Sequence, residues 1–167
     1  MVCGRRPFRT SCHRRAVRAL IITGEREVLL LRIRPPHGGD TFWVAPGGGI
    51  EGDETPEATL RRELAEEVGL TAFAHGPVVW RRHHTFNWGG RRFSQKEEYR
   101  IVHADRFEPV MADQAEAAVL DCFRWWPIAE LSGAEERLTP LSLAAILERY
   151  LRDGAPAEIP DEEVLID

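Results

Sequence analysis

The chain has 167 residues, a net charge of −5, and a composition that is 43% hydrophobic and 29% charged. This length fits one domain of roughly 100 to 200 residues and leaves no room for a second substantial domain. The composition is typical of globular proteins and excludes an intrinsically disordered chain. The longest apolar runs, such as residues 19–22 and 28–31, are far shorter than the roughly 18 residues of a membrane-spanning helix.

The charge is distributed unevenly along the chain. Residues 1–18 hold six Arg and no acid, residues 153–167 hold six acids and no base, and the remainder holds 16 Lys or Arg against 21 Asp or Glu. We therefore expect a basic, flexible leader over 1–16, one domain over 17–152 and an acidic, loose tail over 153–167. An acidic body is a poor surface for nucleic acid, and it predicts that a phosphate-containing ligand needs a cation as intermediary.

The cysteines indicate the compartment. Cys3, Cys12 and Cys122 are odd in number and lack the spacing of a disulfide framework or a metal site. This pattern is typical of a reducing environment and predicts a cytoplasmic location.

Several elements can be predicted in chain order. Apolar or alternating segments predict strands over residues 18–23, 27–33, 43–45, 78–86, 91–104 and 119–126. Residues 113–118 read as an acidic loop or edge, 127–131 as one helical turn and 139–151 as a helix, whose buried stripe is Leu141, Ala144, Ala145, Leu147 and Leu151. Thr55 and Pro56 are helix-start signals and Gly69 is a stop signal, so a helix is predicted over 56–68.

The predicted helix over 56–68 carries three carboxylates on one face. Glu63, Glu66 and Glu67 stand at i, i+3 and i+4, which places them within an arc of about 100°. The nearly opposite side, which would anchor the helix to a sheet, is formed by Leu60, Leu64, Ala65 and Val68. Like charges at this spacing repel one another unless a cation offsets them, so the face is a candidate site for Mg²⁺ or Mn²⁺. The alternative is a solvated acidic face.

The segment before this helix supports the metal interpretation. Gly47, Gly48 and Gly49 permit a turn whose backbone groups approach a metal or a phosphate. Glu54 precedes the helix, and a salt bridge from it to Arg62 would fix the loop to the helix.

These residues match the box of the Nudix hydrolase superfamily, G-x5-E-x7-R-E-U-x-E-E-x-G-U, where U is aliphatic. The match is complete over nine specified positions in 23 residues: Gly48, Glu54, Arg62, Glu63, Leu64, Glu66, Glu67, Gly69 and Leu70. The resemblance implies an α/β fold, an α/β/α sandwich around a mixed β-sheet. It also implies hydrolysis of a nucleoside diphosphate linked to another group X.

The resemblance also implies roles for individual residues. Glu63, Glu66, Glu67 and the carbonyl of Gly47 would hold Mg²⁺, with Mn²⁺ as a substitute, and a metal-activated water would attack the pyrophosphate bridge. Structural roles fall to Gly48, Glu54, Arg62 and Gly69.

Catalytic assignments beyond metal binding are Glu66 and Glu97. Glu97 is preferred as general base because related sequences resemble the spacing of Gln95, Glu97 and Tyr99. Its neighbour Glu98, which points to the opposite face of the same strand, is the alternative, and His83 and His84 are weaker ones.

Substrate contacts are expected from a hairpin after the helix. Trp88, beside Gly89 and Gly90, is a candidate for stacking on a base, while Arg82 and Arg92 are candidates for phosphate contacts. Nucleoside triphosphates, sugar nucleotides, dinucleoside polyphosphates and RNA 5′ ends all remain open as substrates, and a homodimer is compatible with the resemblance. The competing interpretation is a Nudix-like domain that senses a nucleotide without turning it over.

Overall fold

The computed structural model describes residues 12–166. Its strands are β1 (Cys12–Ile22), β2 (Glu27–Ile33), β3 (Phe42–Val44), β4 (Gly47–Gly49), β5 (Val78–Trp88), β6 (Arg91–His103), β7 (Leu120–Pro127), β8 (Arg137–Thr139) and β9 (Glu162–Ile166). Its helices are α1 (Pro56–Val68), α2 (Gln114–Ala117), α3 (Leu143–Asp153) and a 3₁₀ helix over Ile128–Gly133. Within residues 12–166, no helix is both long enough and apolar enough to cross a membrane.

The strands form one mixed sheet. Its order is β8-β3-β2-β1-β6-β5-β9, with β4 paired to β1 and β7 paired to β2. The pairs β1/β6, β3/β8 and β5/β9 are parallel, whereas β1/β2, β1/β4, β2/β3, β2/β7 and β5/β6 are antiparallel. The predicted mixed sheet is therefore confirmed.

The two faces of β1 bury different helices. Val17 and Ala19 belong to the core that includes Leu60 and Leu64 of α1. Leu20, on the other face, belongs to the core that includes α3. Because successive strand residues point to opposite faces, this alternation places α1 and α3 on opposite sides of the sheet, as the predicted α/β/α sandwich requires.

The ends of α1 lie where the sequence predicts them. The Thr55 hydroxyl accepts a hydrogen bond from the amide of Ala58 at 3.1 Å, and Pro56 occupies the first helical position. Gly69 ends the helix with φ of 74°, in the left-handed region that glycine adopts without strain. These caps fix where α1 begins and therefore which residues face the sheet.

Both segments predicted to flank the domain contribute strands to the sheet. Residues 12–16, assigned to the leader, are part of β1 and pair with β6, while residues 1–11 lie outside the described residues. Residues 162–166, assigned to a loose tail, form β9 beside β5. The charged residues Arg14, Arg15, Glu162 and Glu163 conceal these strands from an apolar-pattern search, because charged side chains are tolerated where a strand face is open to solvent or to a cleft.

Three further predictions differ from the structure. The helix predicted over 139–151 begins only at Leu143, because Thr139 is extended in β8. Leu141, predicted to be buried, therefore lies before the helix and is 73% exposed. The buried residues of this helix are Leu143, Ala144, Ile146 and Leu147. The predicted loop over 113–118 contains α2, capped by the Asp113 carboxylate. The strand predicted over 78–86 continues to Trp88, so the β5–β6 turn is Gly89 and Gly90 alone.

Candidate active site

A cleft lies beside β4, with residues of α1 on one side and residues of β1, β5 and β6 on the other. It encloses about 620 Å³. Residues predicted for the site that line it are Gly47, Gly48, Arg62, Glu63, Glu66, Glu67, Arg82, Trp88 and Glu97. Arg92 is exposed on β6 and does not line the cleft. The fold thus brings together residues that are far apart in the chain.

At two glycines of β4, a Cβ atom would come too close to a neighbouring strand or side chain. A Cβ on Gly47, whose φ is +131°, would lie 2.8 Å from Cα of Arg18 on β1. A Cβ on Gly48 would lie 2.5 Å from the carboxyl carbon of Glu63. The Gly47 amide donates a hydrogen bond to Oε2 of Glu67 at 2.6 Å. The absence of side chains here lets the β4 backbone lie directly against the carboxylates of α1.

Arg62 connects the loop to the carboxylate face. Its Nε and Nη2 donate to the two oxygens of Glu54, each at 2.9 Å, which confirms the predicted pairing. Nη2 also donates to the carbonyl of Gly49 at 3.1 Å, and Nη1 donates to Oε1 of Glu63 at 2.7 Å. The hydrogen bonds from Arg62 to Glu54, with those from the Glu51 amide and the Thr59 hydroxyl, lower the pKa of Glu54 to about 2. One guanidinium therefore fixes the loop, the β4 turn and one carboxylate of α1 relative to each other.

Two carboxylates of α1 are held in a poorly solvated setting. Burial raises the pKa of Glu67 to about 8, although the Arg18 charge and the Gly47 amide oppose this rise. Burial also raises the pKa of Glu63, against the opposing effect of Arg62. Because a desolvated carboxylate disfavours its charged form, a cation in the cleft would stabilise both groups as anions.

The carboxylates of α1 are engaged with protein donors. Oε2 of Glu66 lies 3.6 Å from Nη1 of Arg62, the same atom that contacts Glu63, while Glu67 accepts from Gly47. Across residues 12–166, no group of three or more His, Cys, Asp or Glu side chains is arranged as it stands to hold a metal ion. Arg62 and the Gly47 amide thus offset part of the repulsion among these carboxylates.

Opposite α1, a buried carboxylate joins two arginines. Oε1 of Glu97 accepts from Nε of Arg18 at 3.1 Å and from Nε2 of Gln95 at 2.7 Å, and Oε2 accepts from Nε of Arg82. Arg14 donates to Gln95 from the edge of the same network. Burial alone would raise the pKa of Glu97, but the charges of Arg18 and Arg82 more than offset it and lower the pKa to about 2.

Arg18 is one of the cleft residues that the sequence prediction missed. Its Nη1 donates to the carbonyl of Gly47 at 2.6 Å, and its side chain is 17% exposed. The signal lies within β1, where Arg18 interrupts the buried run of Val17, Ala19 and Leu20. An arginine in such a run needs an acceptor, and that acceptor is on β6.

The structure separates the two proposed general bases. Glu97 lies in the cleft, whereas Glu98 points to the opposite face and pairs with Arg100 at 2.7 Å. The ring of His83 contacts the Ser94 hydroxyl at 2.7 Å, and His84 is buried in the cleft wall. Of the two glutamates, only Glu97 lines the cleft.

Trp88 lies at the aromatic end of the cleft. Its ring meets that of Phe42 edge to face, with centroids 6.2 Å apart. Phe86 lies nearby in the cleft wall and stacks on Phe93 with centroids 5.7 Å apart. The cleft therefore has a carboxylate end on α1 and an aromatic end on β5.

A family model described as the NUDIX domain matches residues 13–149. The chain belongs to the NUDIX hydrolase family. The crystal structure of the MutT protein from Methanosarcina mazei Go1 has the same fold, with a TM-score of 0.61 and 21% identity over 87% of this chain and 98% of that one.

Curated relatives differ in name and in the length of their match. An RNA pyrophosphohydrolase of Alkalilimnicola ehrlichii is 32% identical over 138 residues, 73% of this chain and 76% of the relative. An RNA pyrophosphohydrolase of Marinomonas sp. is 51% identical over 51 residues, 30% of each chain. An 8-oxo-dGTP diphosphatase of Proteus vulgaris is 59% identical over 29 residues, 17% of this chain and 26% of the relative. The matches to the last two relatives therefore span less than a third of either relative's length.

Proposed function

We propose that this protein hydrolyses the pyrophosphate bond of a nucleoside diphosphate linked to another group, with the help of a divalent cation. The observation that carries the proposal is the cleft itself, which places three carboxylates of α1 and the Gly47 turn opposite the arginines of β1 and β5. Carboxylates attract the cation, and arginines attract phosphate oxygens. Family membership and the names of the relatives support the same reaction.

The donor set suits a hard divalent cation. Glu63, Glu66, Glu67 and the carbonyl of Gly47 would hold it, because Mg²⁺ prefers oxygen ligands and Mn²⁺ accepts the same ones. The close approach of Gly48 to the Glu63 carboxylate and the burial of Glu67 agree with this assignment. When bound, the cation supplies positive charge to phosphate oxygens and lowers the pKa of a coordinated water.

The other residues of the cleft position the substrate. Arg82 and Arg18 present guanidinium groups to the cleft, where they would offset phosphate charge. Trp88 and Phe86 would contact a base at the aromatic end. We assign proton acceptance to the carboxylate of Glu66, which is 43% exposed and more open than that of Glu63. Arg92 is left out of the binding site because it does not line the cleft.

The names of the relatives set the order of the substrates to be tested. RNA with a 5′ triphosphate comes first because the relative with 73% coverage of this chain is named an RNA pyrophosphohydrolase. 8-oxo-dGTP, ordinary nucleoside triphosphates, sugar nucleotides and dinucleoside polyphosphates follow. The cytoplasmic location and the homodimer stay predictions.

The proposal is tested by measuring product release from this panel with Mg²⁺, by chromatography and phosphate detection. We expect turnover by the wild type and a loss of at least about 10²-fold in Glu67→Gln, since one ligand is removed while its shape is kept. Glu57→Gln, a change on the same helix but outside the cleft, is the control and should retain activity. Nucleotide binding without turnover in both Mg²⁺ and Mn²⁺ would favour a nucleotide-sensing domain instead.

A further inference from the structure

The carboxylate of Glu97 accepts hydrogen bonds on both of its oxygens. Arg18 and Gln95 donate to Oε1 and Arg82 donates to Oε2, while the side chain is only 1% exposed. A group that takes a proton from water needs an oxygen within hydrogen-bond reach of that water and a pKa near the working pH. Glu97 has neither, since the two guanidinium charges hold its pKa at about 2.

The two arginines that pair with Glu97 make their other contacts in different parts of the cleft. Arg18 donates through Nη1 to the carbonyl of Gly47 at 2.6 Å, next to the carboxylates of α1. Arg82 lies with its guanidinium 5.6 Å from the centroid of the Tyr99 ring, and its side chain is 4% exposed. Each side chain thus has a fixed direction, which an arginine on an open strand surface lacks.

We propose that Glu97 is a positioning residue, which orients Arg82 toward the substrate phosphates and Arg18 toward the Gly47 turn, and does not itself accept the proton. This inference rests on the proposed function of the same cleft. The carboxylate accounts for the placement of two guanidinium groups, one from β1 and one from β5, side by side in the cleft wall, because each donates its Nε–H to Glu97.

The experiment uses two substitutions and compares full pH profiles of kcat/KM. Glu97→Gln removes the charge, and Arg82→Met removes one partner while leaving Arg18 to pair with Glu97. The charged and titratable groups that face Glu97 are Arg14 and Arg18 from β1, Arg82 from β5 and Tyr99 from β6; Glu163 of β9 is the register partner of Arg82. Glu57→Gln, outside the cleft, is the control.

If Glu97 positions the arginines, both variants lose about 10²-fold in kcat/KM, the order of loss that misplacement of a substrate group by about 1 Å causes. The acid limb of the pH profile keeps its wild-type midpoint in both. The kcat/KM of the double variant Arg82→Met/Glu97→Gln stays within about twofold of that of the less active single variant. The two losses do not multiply, because residues that act as a unit are not additive.

A proton-accepting Glu97 gives the opposite results. Arg82→Met would then raise the pKa of Glu97 and move the acid limb to higher pH, and this outcome alone overturns the inference even if Glu97→Gln does not fold. Losses that multiply in the double variant, or an acid limb that disappears in Glu97→Gln, also overturn it. Failure of the proposed function is distinct, since it appears as absence of turnover by the wild type.

Discussion

Replacing Glu97 by Gln should change how the stability of the protein depends on pH. The pKa of Glu97 is about 2 in the folded protein, against an ordinary value of 4.5. A gap of this size corresponds to about 3 kcal/mol, at about 1.4 kcal/mol for each pH unit. Because the folded-state pKa is the lower one, this stabilisation is fully present above pH 4.5 and is lost as the pH falls toward 2.

The assay is urea unfolding of wild type and Glu97→Gln at several pH values between 2.5 and 7. At neutral pH the variant removes the negative charge between Arg18 and Arg82 and replaces one of the two accepting oxygens with an amide donor, so we expect a loss of about 3 to 5 kcal/mol. That difference should shrink steadily as the pH falls from 4.5 toward 2.5. A difference that stays constant over this range would refute the reasoning, because Glu97 would then not be a charged partner of the arginines. Glu130→Gln, an exposed carboxylate outside the cleft, should unfold with the wild-type pH dependence.

Three further predictions concern the carboxylate end of the cleft. Gly48→Ala should lower kcat/KM by about 10²-fold, because the new Cβ displaces the carboxylate of Glu63. The Tm should fall by only about 4 °C or less, because the displaced group is the end of a flexible side chain. Wild-type kinetics in this variant would contradict the prediction. Arg62→Lys should lower kcat/KM by about 10- to 100-fold, since lysine cannot pair with both oxygens of Glu54. Full activity in this variant would show that the paired hydrogen bonds from Arg62 to Glu54 are dispensable. Chelation with EDTA should abolish turnover without changing the far-UV circular dichroism spectrum, and Mg²⁺ should restore it; turnover that persists in EDTA would count against a cation.

Local signals predict much of the fold. The limits of α1 follow from Thr55, Pro56 and Gly69, because a cap and a stop act on neighbouring backbone groups. The helix spacing likewise places Glu63, Glu66 and Glu67 on one face. These features depend on residues within a few positions of one another, and a single sequence contains all the information that they need.

The contacts that cross the sheet are not predictable in this way. Glu97 meets Arg18 only because β1 and β6 are parallel neighbours, and Arg82 joins them from β5. That register depends on the pairing of whole strands, which the local pattern of β6 does not specify. The sequence therefore identifies Glu97 as a candidate, but it does not reveal that two arginines occupy its oxygens.

The strand β9 escaped prediction for a related reason. Residues 162–166 are two acidic residues followed by three apolar ones. Such a short segment forms a strand only when a partner edge is available. The edge of β5 provides that partner, from Arg81 opposite Glu162 to Thr85 opposite Ile166. A negative tail thus lies beside a strand that carries arginines, a complementarity that becomes visible only once the strands are paired.

The most direct test of the account is the rate of product release from RNA with a 5′ triphosphate and from the nucleotide panel, measured in Mg²⁺ for wild type and Glu67→Gln. The account predicts cleavage of a pyrophosphate bond by the wild type and a loss of at least about 10²-fold in the variant. Equal rates for the two proteins, or no cleavage of any substrate by a folded wild type in either Mg²⁺ or Mn²⁺, would contradict it.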